Sequence, residues 1–224
     1  ARARIRLVSE MRNAVMVLLG LVALVSSAVT PAGASDDSSA LAERLRTMKP
    51  AEQLELLRGM EAGGQADAEV YFRMGNAFYS MEALDSAIVY YGEAIKADST
   101  YVKAWVNLGL AYDGSHEVSA AQRAFEEALA IAPDDVLALC HLGFTYFNRG
   151  RVEQAIDYYM QALRIDPESA QAHYNLGLAF ADAHIFQEAL REWEKVMELD
   201  DGQLGKTAAE NVNLIHTYME LDED

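Results

Sequence analysis

A single cysteine, Cys140, leaves the chain without an intrachain disulfide and without the Cys-x2-Cys pair of a zinc knuckle. Proline is scarce as well, with four in 224 residues, and runs of β-branched residues are few, which points to helix. No Asn-x-Ser/Thr acceptor occurs. Basic residues are outnumbered, 18 against 35 acidic, giving a net charge of −17 and an isoelectric point near 4.6. A surface of that sign repels phosphate backbones and anionic lipid headgroups, so nucleic acid and general membrane-surface binding are disfavoured. What is plentiful is apolar residue: 51% of the chain, enough for a real core in one or two domains.

The charge-free stretch from Asn13 to Ser35 is preceded by Arg2, Arg4, Arg6 and Arg12, opposed by Glu10 alone. Ala14–Val25 is apolar apart from Gly20, and Pro31-Ala32-Gly33-Ala34 follows. Basic head, apolar centre and small-residue exit describe a secretory signal peptide with cleavage after Ala34 and a natural start at Met11. The rival is an uncleaved inner-membrane anchor facing the periplasm. A span needs about 20 predominantly apolar residues, and this run stops at Ser26 and Ser27. Cleavage is therefore expected. It removes four of the 18 basic residues and one of the 35 acidic, leaving 14 against 34, a net charge of −20. No cysteine follows the apolar run at a distance that would make a lipoprotein.

Downstream the sequence repeats itself. Gly75, Gly109, Gly143 and Gly177 are 34 residues apart. Met74, Leu108, Leu142 and Leu176 precede them, and Phe78, Tyr112, Tyr146 and Phe180 follow. Then come Ala87, Ala121, Ala155 and Ala189, an aromatic column of Tyr91, Phe125, Tyr159 and Trp193, and Ala94, Ala128, Ala162 and Val196. Apolar residues fall at three- and four-residue steps, which reads as two helices per period. Small residues sit where the two helices cross and the aromatics fill the space around them. One such pair cannot bury its apolar face alone, so neighbours must stack.

These columns resemble the tetratricopeptide repeat family. Trp105-x2-Leu108-Gly109-x2-Tyr112, then Ala121, Phe125, Ala128 and Pro133, match its signature. The resemblance covers 68–101, 102–135, 136–169 and 170–203, with His173 and Leu139 replacing the opening aromatic. It implies an all-α, right-handed α-solenoid of four helix-turn-helix repeats. Residues 35–67 read as an N-terminal helical cap, with Ser39 capping a helix through Met48 and Pro50 opening another to about Met60. Residues 204–224 read as a C-terminal solvating helix, Val212, Ile215 and Met219 facing the core, followed by an acidic tail.

Chemistry-bearing constellations are weak. Among His116, His141, His173, His184 and His216 there is no HExxH and no i, i+4 pair. Cys140 and His141 are adjacent, so on a helix they point about 100° apart, which argues against a nucleophile and its base. Gly205-Lys206-Thr207 imitates the end of a phosphate loop, but Asp200 stands where its first glycine is required and a helix precedes it. Glu126-Glu127 and Asp134-Asp135 read as outer-face and turn residues. No metal, cofactor or catalytic residue is assigned, and the chain is expected not to be an enzyme.

The family binds its ligands on the concave face lined by each first helix. The resemblance places there Phe72, Arg73, Asn76 and Tyr79; Lys103, Val106, Asn107 and Leu110; Leu137, Cys140, His141, Phe144 and Phe147; and Gln171, Tyr174, Asn175 and Leu178. Asn76 and Asn107 hold the two amide columns of the family's carboxylate clamp. Phe72, Leu137 and His141 stand in its basic columns, so clamp chemistry is not expected. The expected function is a non-enzymatic scaffold outside the cytoplasm, in a bacterial periplasm, gripping an extended or helical peptide with apolar anchors. The aromatics have a second reading, as packing between adjacent first helices. Self-assembly into a homo-oligomer is the alternative to a foreign partner.

Overall fold

A computed structural model describes residues 36–222, all helical among the described residues apart from short turns. The proposed signal segment, its cleavage point and the tail beyond Asp222 lie outside them. The helices are α1 (Asp36–Arg46), α2 (Pro50–Ala62), α3 (Ala68–Ser80), α4 (Leu84–Ala97), α5 (Val102–Gly114), α6 (Val118–Ile131), α7 (Val136–Asn148), α8 (Val152–Ile165), α9 (Ala170–Asp182), α10 (Phe186–Leu199) and α11 (Gln203–Asp222). They fall into two compact units that divide between Ala132 and Pro133. The N-terminal unit holds α1–α6 and the C-terminal unit α7–α11.

Each repeat is a helix hairpin built by one glycine. A Cβ at Gly75 would stand 2.5 Å from the Tyr91 ring, at Gly109 2.5 Å from Phe125, at Gly143 2.7 Å from Tyr159 and at Gly177 2.5 Å from the Trp193 indole. The bare backbone of the first helix is thus the seat for the aromatic of the second, sixteen residues on. All four aromatics are fully buried.

The turn inside each hairpin is closed the same way four times. Ala83 N–H donates to Phe78 O, Glu117 to Tyr112 O, Arg151 to Tyr146 O and Ile185 to Phe180 O, the six-to-one bond of a Schellman ending. The residue before each donor, Glu82, His116, Gly150 or His184, is left-handed, with φ of 59°, 61°, 73° and 61°. Three of the four first helices that open a repeat are started by a side-chain cap: Asp67 accepts from Val70 N–H, Asp135 from Ala138 N–H and Ser169 from Ala172 N–H.

In the N-terminal unit α2 packs on α3, α3 on α4 and α4 on α5. Its core runs from Leu45, Leu54 and Leu57 through Phe72 and Met74 to Leu108. Helix α1 starts at Asp36, so Ser39 lies within it rather than capping it, and it ends at Arg46 because the chain must turn before Pro50 can open α2. In the C-terminal unit α8 packs on α9 and α11 closes against α10. The buried stripe of α11 is Ala208, Asn211 and Ile215, while Val212 and Met219 are half-buried. The apolar spacing alone favoured 212, 215 and 219. Asn211 takes the inward place because its Nδ2 donates to the Tyr174 hydroxyl at 3.2 Å.

Candidate functional site

The first helices of the two units present different chemistry. In the N-terminal unit, α3 and α5 carry Glu69, Arg73, Lys103 and Asp113. Arg73 pairs with Glu69, and the Tyr101 hydroxyl donates to the same carboxylate. Asn76 is a hub: its Oδ1 accepts from the Tyr91 hydroxyl and from Asn107 Nδ2, both at 2.8 Å. Burial and the Asp113 carboxylate push the Tyr79 phenol up, and burial raises Asp113 itself. Phe72 is buried, edge-on to Tyr101 at 5.3 Å and tilted against Tyr91 at 5.9 Å. Val106 and Leu110 are buried; Asn76, Tyr79 and Asn107 are half-buried.

In the C-terminal unit, α7 has no charged residue at all and α9 has only Asp182 at its last position. Every residue from Ala138 through Phe147 is buried, among them Cys140, His141, Phe144 and Phe147. Phe144 retains 4% exposure and its ring is stacked near Phe147 at 6.4 Å. Tyr174, Asn175 and Leu178 are buried as well. Of the two roles open to these side chains, ligand anchor and helix–helix packing, packing is what the described chain displays.

Cys140 and His141 have the wrong charge states for covalent catalysis. Burial, with Asp135 and Asp166 nearby, pushes the thiol up to about 12, and burial holds the imidazole down to about 4. A protonated thiol beside a neutral imidazole that faces another way gives no nucleophile. No group of three metal-ligating side chains is present among the described residues. Gly205 has a packing reason to be glycine, since a Cβ there would fall 1.8 Å from the Asp200 carbonyl oxygen. The Asp200 carboxylate, which would repel a phosphate, accepts from Gly202 and Gly205 N–H.

Two features were not anticipated. Trp105 Nε1 donates to Ser99 O at 3.0 Å, and His173, one repeat pair later in the same column, meets Pro167 O at 3.0 Å through Nε2. The histidine takes over the indole's bond and adds a contact from Nδ1 to Glu192 Oε2 at 2.6 Å. The second feature is on α9. Gln171 Nε2 donates to Asn175 Oδ1 at 3.0 Å, which leaves Gln171 Oε1 and Asn175 Nδ2 buried with no partner.

With this geometry in view, the comparisons are consistent. The family described as TPR repeat matches residues 75–113 and 145–183, and those described as tetratricopeptide repeat match 102–135 and 124–157. Residues 75–183 of the chain are thus tetratricopeptide repeats. The chain is 39% identical over 59 residues to the tetratricopeptide repeat domain-containing protein PYG7, chloroplastic, of Arabidopsis thaliana, a match that spans 26% of this chain and only 20% of that protein. Among solved structures it is similar to residues 41 to the end of MamA from Desulfovibrio magneticus RS-1, at 24% identity, covering 75% of this chain and 99% of that one with a TM-score of 0.63. It is also similar to YrrB, described as a TPR protein with an unusual peptide-binding site, at 24% identity over 73% of this chain and 82% of that one, TM-score 0.56. At these identities the structural likeness establishes the fold.

Proposed function

We propose that this chain is a non-enzymatic scaffold, exported to a bacterial periplasm, that holds a peptide or helix of a protein partner on the first-helix face of its C-terminal unit. The observation that carries the binding half is the near absence of charge from α7 and α9, 26 residues with Asp182 alone, in a chain of net charge −17. An uncharged, aromatic-rich pair of first helices in so acidic a chain fits an apolar ligand segment flanked by basic residues. The peptide-binding site named for YrrB, on the same fold, is in keeping with this reading. Export rests on the arginine head, the Ala14–Val25 run and the Pro31–Ala34 exit.

A photo-crosslinker placed at Leu137, half-buried at the start of α7, tests the face, with one at the exposed Glu127 as control. In native cells Leu137 should trap a foreign protein and Glu127 should not. Crosslinks from Glu127 only, or only to copies of this chain, would count against the reading, the latter in favour of self-assembly. N-terminal sequencing of the protein from its own cells should begin at Ser35. A chain that keeps residues 14–30 and stays with membranes through a carbonate wash is an anchored adaptor instead.

A further inference from the structure

We infer that the first occupant of this face is the chain's own Ala14–Val25 segment, which closes α7 and α9 in the uncut chain and leaves them open to a partner once the chain is severed after Ala34. The inference rests on the binding face proposed above and adds how that face is kept closed.

The warrant is a difference in burial between two equivalent helices. Helices α5 and α7 open the second and third of the four repeats, so each has a repeat before it and after it in the chain. Yet five columns of the concave side are all more enclosed on α7. Lys103 is exposed where Leu137 is half-buried, Asn107 is half-buried where His141 is 8% exposed, and Asp113 is half-buried where Phe147 is 3% exposed. Phe144 keeps 4% against 9% for Leu110, and Cys140 1% against 4% for Val106. Phe144 and Phe147 are larger than Leu110 and Asp113, and on an open side a larger side chain shows more surface, not less. Ala138–Phe147 are buried without a gap, about three turns of helix, so the side that α5 leaves partly open is covered on α7.

A cover for that side has to be apolar where it meets Phe144 and Phe147, and basic at its flank, since Asp135 and Asp166 lie near Cys140. One stretch of the sequence has both properties. Asn13–Ser35 is its longest run without charge, Ala14–Val25 is apolar apart from Gly20, and Arg2, Arg4, Arg6 and Arg12 lead into it. Ten residues, Ser26–Ser35, join this segment to α1, and an extended link of that length reaches about 35 Å.

The tether decides the occupancy. A short flexible link holds its ligand at an effective concentration in the millimolar range. A segment of about 0.1 mM intrinsic affinity then fills the face about ten to one, and raises the apparent Kd of any competitor about tenfold. Hydrolysis of the Ala34–Ser35 peptide bond, in which water leaves a carboxylate on Ala34 and an amine on Ser35, removes the tether. At about 1 μM the same segment, now free, holds roughly 1% of the faces.

Cys140, the chain's single cysteine, stands on this face and reports on it. The full chain is made by cell-free translation without membranes, which leaves residues 1–34 attached, and its thiol is labelled with N-ethylmaleimide. Labelling should quicken about tenfold in the double variant Leu18→Asp, Leu21→Asp, whose changes fall outside α1–α11, and equally when signal peptidase cuts the unsubstituted chain. A photo-crosslinker at Leu18 should map to α7 or α9 of the same molecule. Equal labelling rates in all three forms would overturn the inference, because the face is then closed by helix packing alone. Crosslinks from Leu18 that are confined to a second copy or to other helices would overturn it as well. The binding face itself is read separately, from the crosslinker at Leu137 in the cleaved protein. If Leu18 reaches α7 while Leu137 traps no foreign protein, the segment is the ligand of this face and the foreign partner falls. If Leu137 traps one and Leu18 reaches neither helix, the partner stands and the segment falls.

Discussion

The two units carry the same hairpin twice each, yet they spend the first-helix face differently. In the N-terminal unit most polar groups around α3 and α5 answer one another, Arg73 with Glu69, Tyr101 with Glu69, Tyr91 and Asn107 with Asn76, while Arg73 Nε stays buried without a partner. In the C-terminal unit the columns of Asn107 and Asn76 hold His141 and Phe144 on α7, and the amides of α9 are left half-paired. The aromatic seats on glycine are alike in both. Repeat architecture is thus set by the Gly, Ala and aromatic columns, and these leave the remaining first-helix positions free to close on themselves or to await a ligand.

The sharpest way to break this comparison is Phe144→Ala. At 4% exposure it should behave as a core truncation and lose about 3–5 kcal/mol in a denaturant melt. A loss below about 1 kcal/mol, together with weakened partner binding, would instead show that the ring serves a ligand more than the fold.

Acid should then separate the C-terminal unit by its own histidine. Burial holds the folded His141 imidazole down to about 4, whereas the unfolded one titrates near 6.5. Between those values the unfolded chain binds a proton that the folded chain refuses. The His141 contribution is therefore full above about pH 6.5 and is lost as pH falls towards 4, at about 1.4 kcal/mol per pH unit. His141→Asn, the residue its column carries in Asn107 and Asn175, should flatten the melting-temperature profile across that window. An unchanged slope would mean that His141 is charged in the folded state.

Much of this was legible in advance, and the reasons differ by feature. The glycine and aromatic columns are visible because their contact recurs at a fixed sixteen-residue offset in all four repeats. Asp135 reads as a turn residue because it follows Pro133. The left-handed column of Glu82, His116, Gly150 and His184 was invisible, since only one of its four members is the glycine such a turn advertises. His173 stands in a column of large apolar residues, a position that by spacing alone points to packing. Its real service is the indole's hydrogen bond, which an imidazole can copy. The Asn76 hub joins residues 31 positions apart, and no local pattern announces it. Whether a first-helix residue is packed or open depends on what lies over it, which spacing within one helix does not encode.

The amides offer a smaller and more discriminating test. Asn76→Leu removes the acceptor for two donors and should cost about 1–3 kcal/mol in the free protein. Asn175→Leu sacrifices one internal bond but also removes an orphan donor, so stability should change by less than about 1 kcal/mol. Binding should fall all the same. A residue whose loss spares the fold and impairs the complex is held for the ligand. If instead Asn175→Leu costs as much as Asn76→Leu, the two units use their amides alike, for structure alone.

The smallest effect concerns the one column where both units break the same rule. Non-glycine residues pay about 1 kcal/mol or somewhat more to adopt left-handed backbone, and Glu82, His116 and His184 all do so while Gly150 does not. The Schellman bonds from Ala83, Glu117 and Ile185 hold them there. Replacing each by glycine relieves the strain but also loosens the unfolded chain, and these two terms partly cancel. The net expectation is a gain of about 0.4–1 kcal/mol for His116→Gly and for His184→Gly, seen as a small rise in melting temperature. Gly150→Ala should go the other way by a similar amount, because the added Cβ meets no atom within 4 Å and only the backbone strain is felt. Both histidines are exposed, so the gain should be alike at the two sites. A gain at His184 clearly smaller than at His116 would show that its ring, set edge-on to Phe186 at 5.8 Å, contributes a contact beyond its turn geometry.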